Sequence, residues 1–273
     1  MVGDGFRVHN FFPRGYQLDM SPFYMLDYNA KIECSARNHP RGVGLHPHRG
    51  FETVTIAYHG AIAHHDSAGN RGIIYPGDVQ WMTAASGILH KEYHEEEFSK
   101  KGGLFQMVQL WVNLPAKDKM SRPKYQGVKQ REMAKFFLPD GTGTVEIIAG
   151  TFDGQHGSID TFTPIEMYNV RLNKGAKVSF DFPKNFNTAI IVIDGNIKVN
   201  ESDIATADQM VHFKNDGELI TIETSTTAIA LVLSGEPINE PIAAYGPFLM
   251  NNNEEIQQAI ADYNEGRFGY LEE

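Results

Sequence analysis

The sequence predicts an all-β fold: two β-barrels in series, with an α-helix near the C-terminus. Three observations carry this expectation. Short runs rich in Val, Ile, Thr, Phe and Tyr recur along the whole chain; 26 glycines and 13 prolines punctuate them; and one late segment carries a full set of helix signals. Strand-length runs bounded by turn chemistry are the mark of antiparallel sandwiches and barrels.

In chain order, the runs read as strands are Glu52 to Tyr58, Phe105 to Asn113, Thr144 to Ala149, Lys177 to Phe182, Ala189 to Ile193 and Ala228 to Leu233. Turn residues separate them at Asp66-Ser67-Ala68-Gly69-Asn70, Pro76-Gly77-Asp78 and Asp194-Gly195-Asn196. A short helix is expected over Lys129 to Phe136. A longer one is expected over Asn253 to Tyr263, where Asn252 or Asn253 caps the start, Glu254 and Glu255 fill the first turn, and Gly266 follows the end. Ile256, Ile260 and Tyr263 would form its buried face. The polar, basic, proline-containing stretch Pro115 to Gln130 places a boundary between Ser121 and Asp140, which gives domains over 1–130 and 131–273.

Composition narrows the class. Hydrophobic residues are 41% and charged residues 21% of the 273, as in ordinary globular chains. Met1 to Asn10 has no apolar stretch of the secretory kind, and no uncharged run approaches the ~20 residues a membrane helix needs. Cys34 is the single cysteine, so no intrachain disulfide can form, and a reducing, cytoplasmic location is expected, with the nucleus open to a eukaryotic chain. The formal charge of −10 repels phosphate backbones, and no direct nucleic-acid or membrane partner is expected.

The chemistry concentrates in Leu45-His46-Pro47-His48-Arg49-Gly50-Phe51-Glu52. Residues two apart in a strand share a face, so His46 and His48 could project together into a barrel. With 11 histidines in the chain, roughly 0.4 such pairs arise by chance, so the pair alone is weak. A second pair, His90 and Glu92, follows Pro76-Gly77-Asp78, the run Val79-Gln80-Trp81-Met82 and Gly87-Ile88-Leu89. Side by side, the two stretches would converge three imidazoles and a carboxylate. Such donors suit Fe, Mn, Co, Ni, Cu or Zn, and four of them leave two positions of a six-coordinate ion free. Spacing leaves His94 and Glu96 as equal alternatives, and it places Glu52 on the same face as His46 and His48 provided no bulge intervenes. Glu52 is expected to orient an imidazole. His59, His64, His65 and His94 lie beside turns or charge runs and are expected in surface loops, as is the run Glu95-Glu96-Glu97 with Lys100 and Lys101. Trp81, Met82, Phe105 and Met107 are candidates to line an apolar slot, with barrel core as the plainer expectation for each.

The stretches His46-Pro47-His48-Arg49-Gly50-Phe51-Glu52-Thr53-Val54, Pro76-Gly77-Asp78-Val79-Gln80-Trp81-Met82-Thr83, Gly87-Ile88-Leu89-His90 and Leu110-Trp111-Val112-Asn113-Leu114-Pro115 closely resemble the pirin family. So do Ser234-Gly235-Glu236-Pro237, Tyr245-Gly246-Pro247-Phe248 and Gly266-Arg267-Phe268-Gly269 near the C-terminus. The resemblance spans nearly the whole chain. It implies two tandem cupin barrels (a bicupin), with metal only in the N-terminal one. Matched by position, it assigns the metal ligands to His46, His48, His90 and Glu92, and it removes His94, Glu96 and Glu52 from that role. It further implies one divalent ion, Fe(II) first and Mn, Co, Ni, Cu or Zn as substitutes. The activity implied is that of a quercetin 2,3-dioxygenase, which opens a flavonol ring with O2 and releases CO; for such a reaction Glu92 is expected as general base, since a carboxylate that can loosen from the metal could take the hydroxyl proton. The alternative implied is an iron-dependent, redox-sensitive regulator that binds a transcription factor or metabolic enzyme.

Overall fold

The computed structural model describes residues 2–4, 6–13 and 20–272. The parts of the expected domains that fall on residues 1, 5, 14–19 and 273 lie outside the described residues. Among the described residues, no helix is long and apolar enough to cross a membrane.

The chain divides into two compact units, each built on a six-stranded and a four-stranded β-sheet with an added two-stranded ribbon. The first contains ten strands of the N-terminal half: β1 (His9–Phe12), β2 (Phe23–Cys34), β3 (Gly42–His48), β4 (Phe51–His59), β5 (Ile62–Asp66), β6 (Arg71–Ile74), β7 (Val79–Thr83), β8 (Ile88–His94), β9 (Gly103–Asn113) and β10 (Lys124–Val128). They form a six-stranded sheet in the order β1-β2-β9-β4-β7-β10 and a four-stranded sheet in the order β3-β8-β5-β6. Every pairing is antiparallel, with register shifts in β1–β2, β2–β9, β3–β8 and β4–β9.

The second unit repeats the plan over Arg131–Pro237. Its larger sheet runs Ala134–Phe137, Gly143–Ala149, Ile165–Leu172, Ala228–Gly235, Asn187–Asp194 and Met210–His212 in spatial order. Its smaller sheet runs Lys177–Asp181, Leu219–Glu223, Asn196–Val199 and Asp203–Thr206. The strand Lys177–Asp181 shows why these residues fold so: Val178 and Phe180 are buried while Lys177, Ser179 and Asp181 are exposed, the period-two alternation of a half-buried sheet. Phe180, Tyr168 and Phe182 stack on one another in that core.

Three expectations change. Residues 238–273 belong to the first unit, not to a domain over 131–273. The reason is apolar: Phe248, Met250, Ile256, Ala259 and Phe268 cluster with Leu89 of β8, and each large side chain so buried contributes roughly 1.5–3 kcal/mol. The helix expected over Lys129 to Phe136 is a single 3-10 turn at Gln130–Glu132 followed by the strand Ala134–Phe137, because Phe136 packs into the second core. The acidic run is not a loop but the short helix α1 (Glu96–Lys101), capped by the Glu95 carboxylate and laced by Lys100 to Glu96. The C-terminal helix, α2 (Asn253–Asn264), starts where expected, with Asn252 Oδ1 accepting from Glu255 N at 2.9 Å. Ile256 is buried and Ile260 partly so, whereas Tyr263 is exposed.

Candidate metal centre

Strand β8 lies between β3 and β5, and the register fixes what faces what. His90 sits opposite His46 of β3 and opposite Asp66 of β5; Glu92 sits opposite Val43 and His64. Side chains directly opposite share a face, so three strands deliver their polar residues to one side of the sheet. One ring nitrogen from each of His46, His48 and His90 falls within 4.8 Å of the others, close enough to hold one cation. Glu92 joins a second such group with His64 and His90, and its Oε1 accepts from the Thr55 hydroxyl at 3.1 Å.

The ring nitrogens are already sorted. His46 Nδ1 lies 2.7 Å from Gly44 O and His48 Nδ1 lies 3.3 Å from Pro247 O. A carbonyl only accepts, so both rings carry the proton on Nδ1 and present Nε2 as a lone pair. His90 Nε2 is buried with no hydrogen-bond partner among the described residues. An orphaned buried nitrogen facing two other imidazoles fits a metal ion. Burial, reinforced by the neighbouring imidazoles, pulls His48 and His90 well below the ordinary imidazole range and keeps both rings neutral.

Around this cluster lie groups that sequence spacing did not bring forward. Trp111 stands 5.2 Å from His48 and stacks on Phe51 at 4.1 Å. Thr55 and Gln109 bond each other beside Glu92. A small hollow of about 40 Å³, partly open to solvent, adjoins Glu92; Phe6, Val8, Ile62 and Met107 supply its apolar walls. Asn29 lines it too, fully buried and with neither amide atom partnered among the described residues. Of the apolar slot candidates, Met107 borders this hollow, Phe105 packs with Phe6, Met82 packs with Ile88, and Trp81 is wholly buried.

Glu52 points away from the cluster. Its Oε1 accepts from Thr83 Oγ1 at 2.7 Å, while Thr55, three residues further along the same strand, meets Glu92. Residues an odd number apart in a strand face opposite ways. The turn at Arg49-Gly50 breaks the parity between His48 and Glu52, with Gly50 at φ +91° and no room for a Cβ beside Leu249 O. Burial raises the Glu52 carboxyl to about 7 despite the Thr83 bond. His64 and His94 are buried, not in surface loops. His94 packs among Phe6, Phe98 and Phe105, where burial lowers it to about 4, and Glu96 is spent on Lys100.

Two β-barrel units, one carrying a histidine trio of which His48 and His90 are buried and His46 half-buried, define a metal-type bicupin. Comparison with known proteins makes the class specific. Family models for Pirin and for the Pirin C-terminal cupin domain match residues 5–112 and 167–269. Human pirin is 36% identical over 98% of this chain and 90% of its own length. A Pseudomonas aeruginosa protein, provisionally named a quercetin 2,3-dioxygenase, is 46% identical over 98% of this chain and 93% of its own. The crystal structure of a quercetin 2,3-dioxygenase from Acinetobacter baumannii superposes with a TM-score of 0.93 at 42% identity, covering all of this chain and 95% of that one. The chain belongs to the pirin family.

Proposed function

We propose that the protein is a metal-dependent dioxygenase of flavonol-type substrates such as quercetin, with His46, His48, His90 and Glu92 as the ligands of one divalent ion, Fe(II) first. The observation that carries this reading is the orphaned, buried Nε2 of His90 beside two imidazoles whose Nδ1 atoms are already committed to carbonyls. Bound there, a divalent ion supplies Lewis acidity and a template on which substrate and O2 meet. The three imidazoles hold it while Gly44 O and Pro247 O keep two of the rings turned correctly. Glu92 takes the flavonol hydroxyl proton, and the Thr55 hydroxyl holds the carboxylate in place for that transfer. Phe6, Val8, Ile62 and Met107 keep bulk water from one side of the Glu92 carboxylate, and Asn29 offers an amide to a small polar group or water in the hollow.

The test is anaerobic loading with Fe(II), then quercetin and air, following flavonol absorbance and CO. Ring opening is expected with the unaltered chain and is expected to vanish in the double variant His46→Ala, His48→Ala. Glu92→Gln should keep its metal and lose at least tenfold in turnover; full turnover would remove Glu92 as the base. Stoichiometric metal without turnover would turn the assignment to a regulatory protein.

A further inference from the structure

Asp66, His64 and His90 form an unbroken line of buried groups. His64 is fully buried and Asp66 nearly so. Asp66 Oδ2 lies 3.2 Å from His64 Nε2, and His64 Nδ1 lies 3.5 Å from His90 Nδ1. Two imidazole nitrogens can share a hydrogen bond only if one carries the proton and the other a lone pair. The surroundings decide which. Asp66 is an acceptor, so His64 carries its proton on Nε2. That puts the lone pair of the neutral ring on Nδ1, where the Gln80 amide at 3.3 Å and His90 share it as a bifurcated acceptor. His90 must then donate from Nδ1, which leaves its orphaned Nε2 as a lone pair toward His46 and His48. The reverse arrangement would set a lone pair against the Asp66 carboxylate and bury a proton on His90 Nε2 with nothing to receive it.

We propose that Asp66 and His64 are positioning residues that lock the tautomer and ring angle of His90, as a carboxylate–imidazole–imidazole line ending at the metal position. This rests on the reading of His90 as a ligand. It extends by one ring the carboxylate–histidine pairing common behind metal ligands. The far end is anchored firmly: Asp66 Oδ1 accepts from Ala68 N at 3.0 Å and Asn70 N at 2.9 Å, and Asn70 Nδ2 reaches both carboxylate oxygens. The turn Ser67 to Asn70 thus fixes the carboxylate, β5 carries His64 and Asp66 on one face, and the Tyr125 ring stacks on His64 at 5.4 Å.

The experiment uses the full chain and Co(II) as the probe, with affinity read by chelator competition and ring N–H protons by NMR of the Co(II) form. The unaltered protein should show a strongly shifted, slowly exchanging Nδ1–H from His90. Asp66→Asn and His64→Leu should each lower Co(II) affinity about ten- to hundredfold and lose or broaden that signal. His64→Gln, whose amide oxygen can take over as acceptor, should recover most of the affinity. If Asp66→Asn fails to fold, the Gln-against-Leu comparison at position 64 still decides. Unchanged affinity with an unchanged His90 signal in both Asp66→Asn and His64→Leu would overturn the proposal. Absence of Co(II) binding by the unaltered protein would overturn the ligand reading along with it, and normal Co(II) binding without flavonol turnover would leave this proposal standing while refuting the dioxygenase.

Discussion

Replacing Lys119 with methionine should destabilise the first unit by about 3 kcal/mol. Lys119 is 1% exposed, and its ammonium donates to Gly50 O at 2.7 Å, Leu249 O at 2.9 Å and Asn113 Oδ1. Methionine fills the same space and leaves those three acceptors bare, at about 2 kcal/mol each. Against this stands the cost of burying the charge, since burial draws the ammonium from 10.5 down to about 8 even with Glu240 and Glu255 opposing. That shift amounts to about 3 kcal/mol that the variant no longer bears. The difference is about 3 kcal/mol of net loss. The assay is denaturant unfolding followed by tryptophan fluorescence, which reports on this unit alone because Trp81 and Trp111 are the only tryptophans. An unchanged or higher midpoint at unchanged slope would refute the reasoning. It would mean that the carbonyls find other donors and that an apolar replacement of a buried charge wins, as it does in some cores.

Glu52→Gln should stabilise the protein by about 2–3 kcal/mol at pH 8 and have almost no effect at pH 4.5. The folded carboxyl value of about 7 lies above the unfolded 4.5, so the native state holds this proton more tightly and stability falls as pH rises through 7. Thermal unfolding across that range checks it, and a pH-independent difference would sink the argument. Asp262→Asn removes the partner of Arg49, which is held at 2.8 Å with both side chains buried, and should cost about 3–5 kcal/mol in the same fluorescence assay. Equal stability would show that the Ser86 carbonyl and the Phe268 ring suffice for Arg49.

Much of this was legible in the sequence because it depends on local rules. Alternation marks Lys177–Asp181 as a strand and capping chemistry marks the start of α2, and both depend on neighbours in the chain. Spacing offers His46 with His48 and His90 with Glu92, but leaves His94 and Glu96 as equals, and only the longer motifs around them separate the sets. What spacing cannot carry is parity across a turn or contact across the sheet. Spacing puts Glu52 on the face of His48 only if the strand is unbroken, and the glycine turn at Gly50 breaks it. His64 beside a turn looked like a loop residue, although its strand lies against β8 and faces Glu92. The return of residues 238–273 to the first unit depends on Leu89 meeting Phe248 and Phe268, contacts that no local pattern encodes.

The bond between His48 Nδ1 and Pro247 O joins residues 199 positions apart. In terms of assembly on the ribosome, at about 5–20 residues per second, roughly 10–40 s separate the synthesis of this histidine from that of its carbonyl partner. Nearly all of the second unit is made within that interval, since its stretch Arg131–Pro237 lies between the two residues and only its short segment before Phe23 precedes them. The nascent first unit therefore waits with an incomplete wall, and the ring of His48 acquires its fixed orientation only when the chain is nearly finished. The fixed orientation of His48 is a property of the finished polypeptide, and its N-terminal half alone would carry the histidines without the strap that aims one of them.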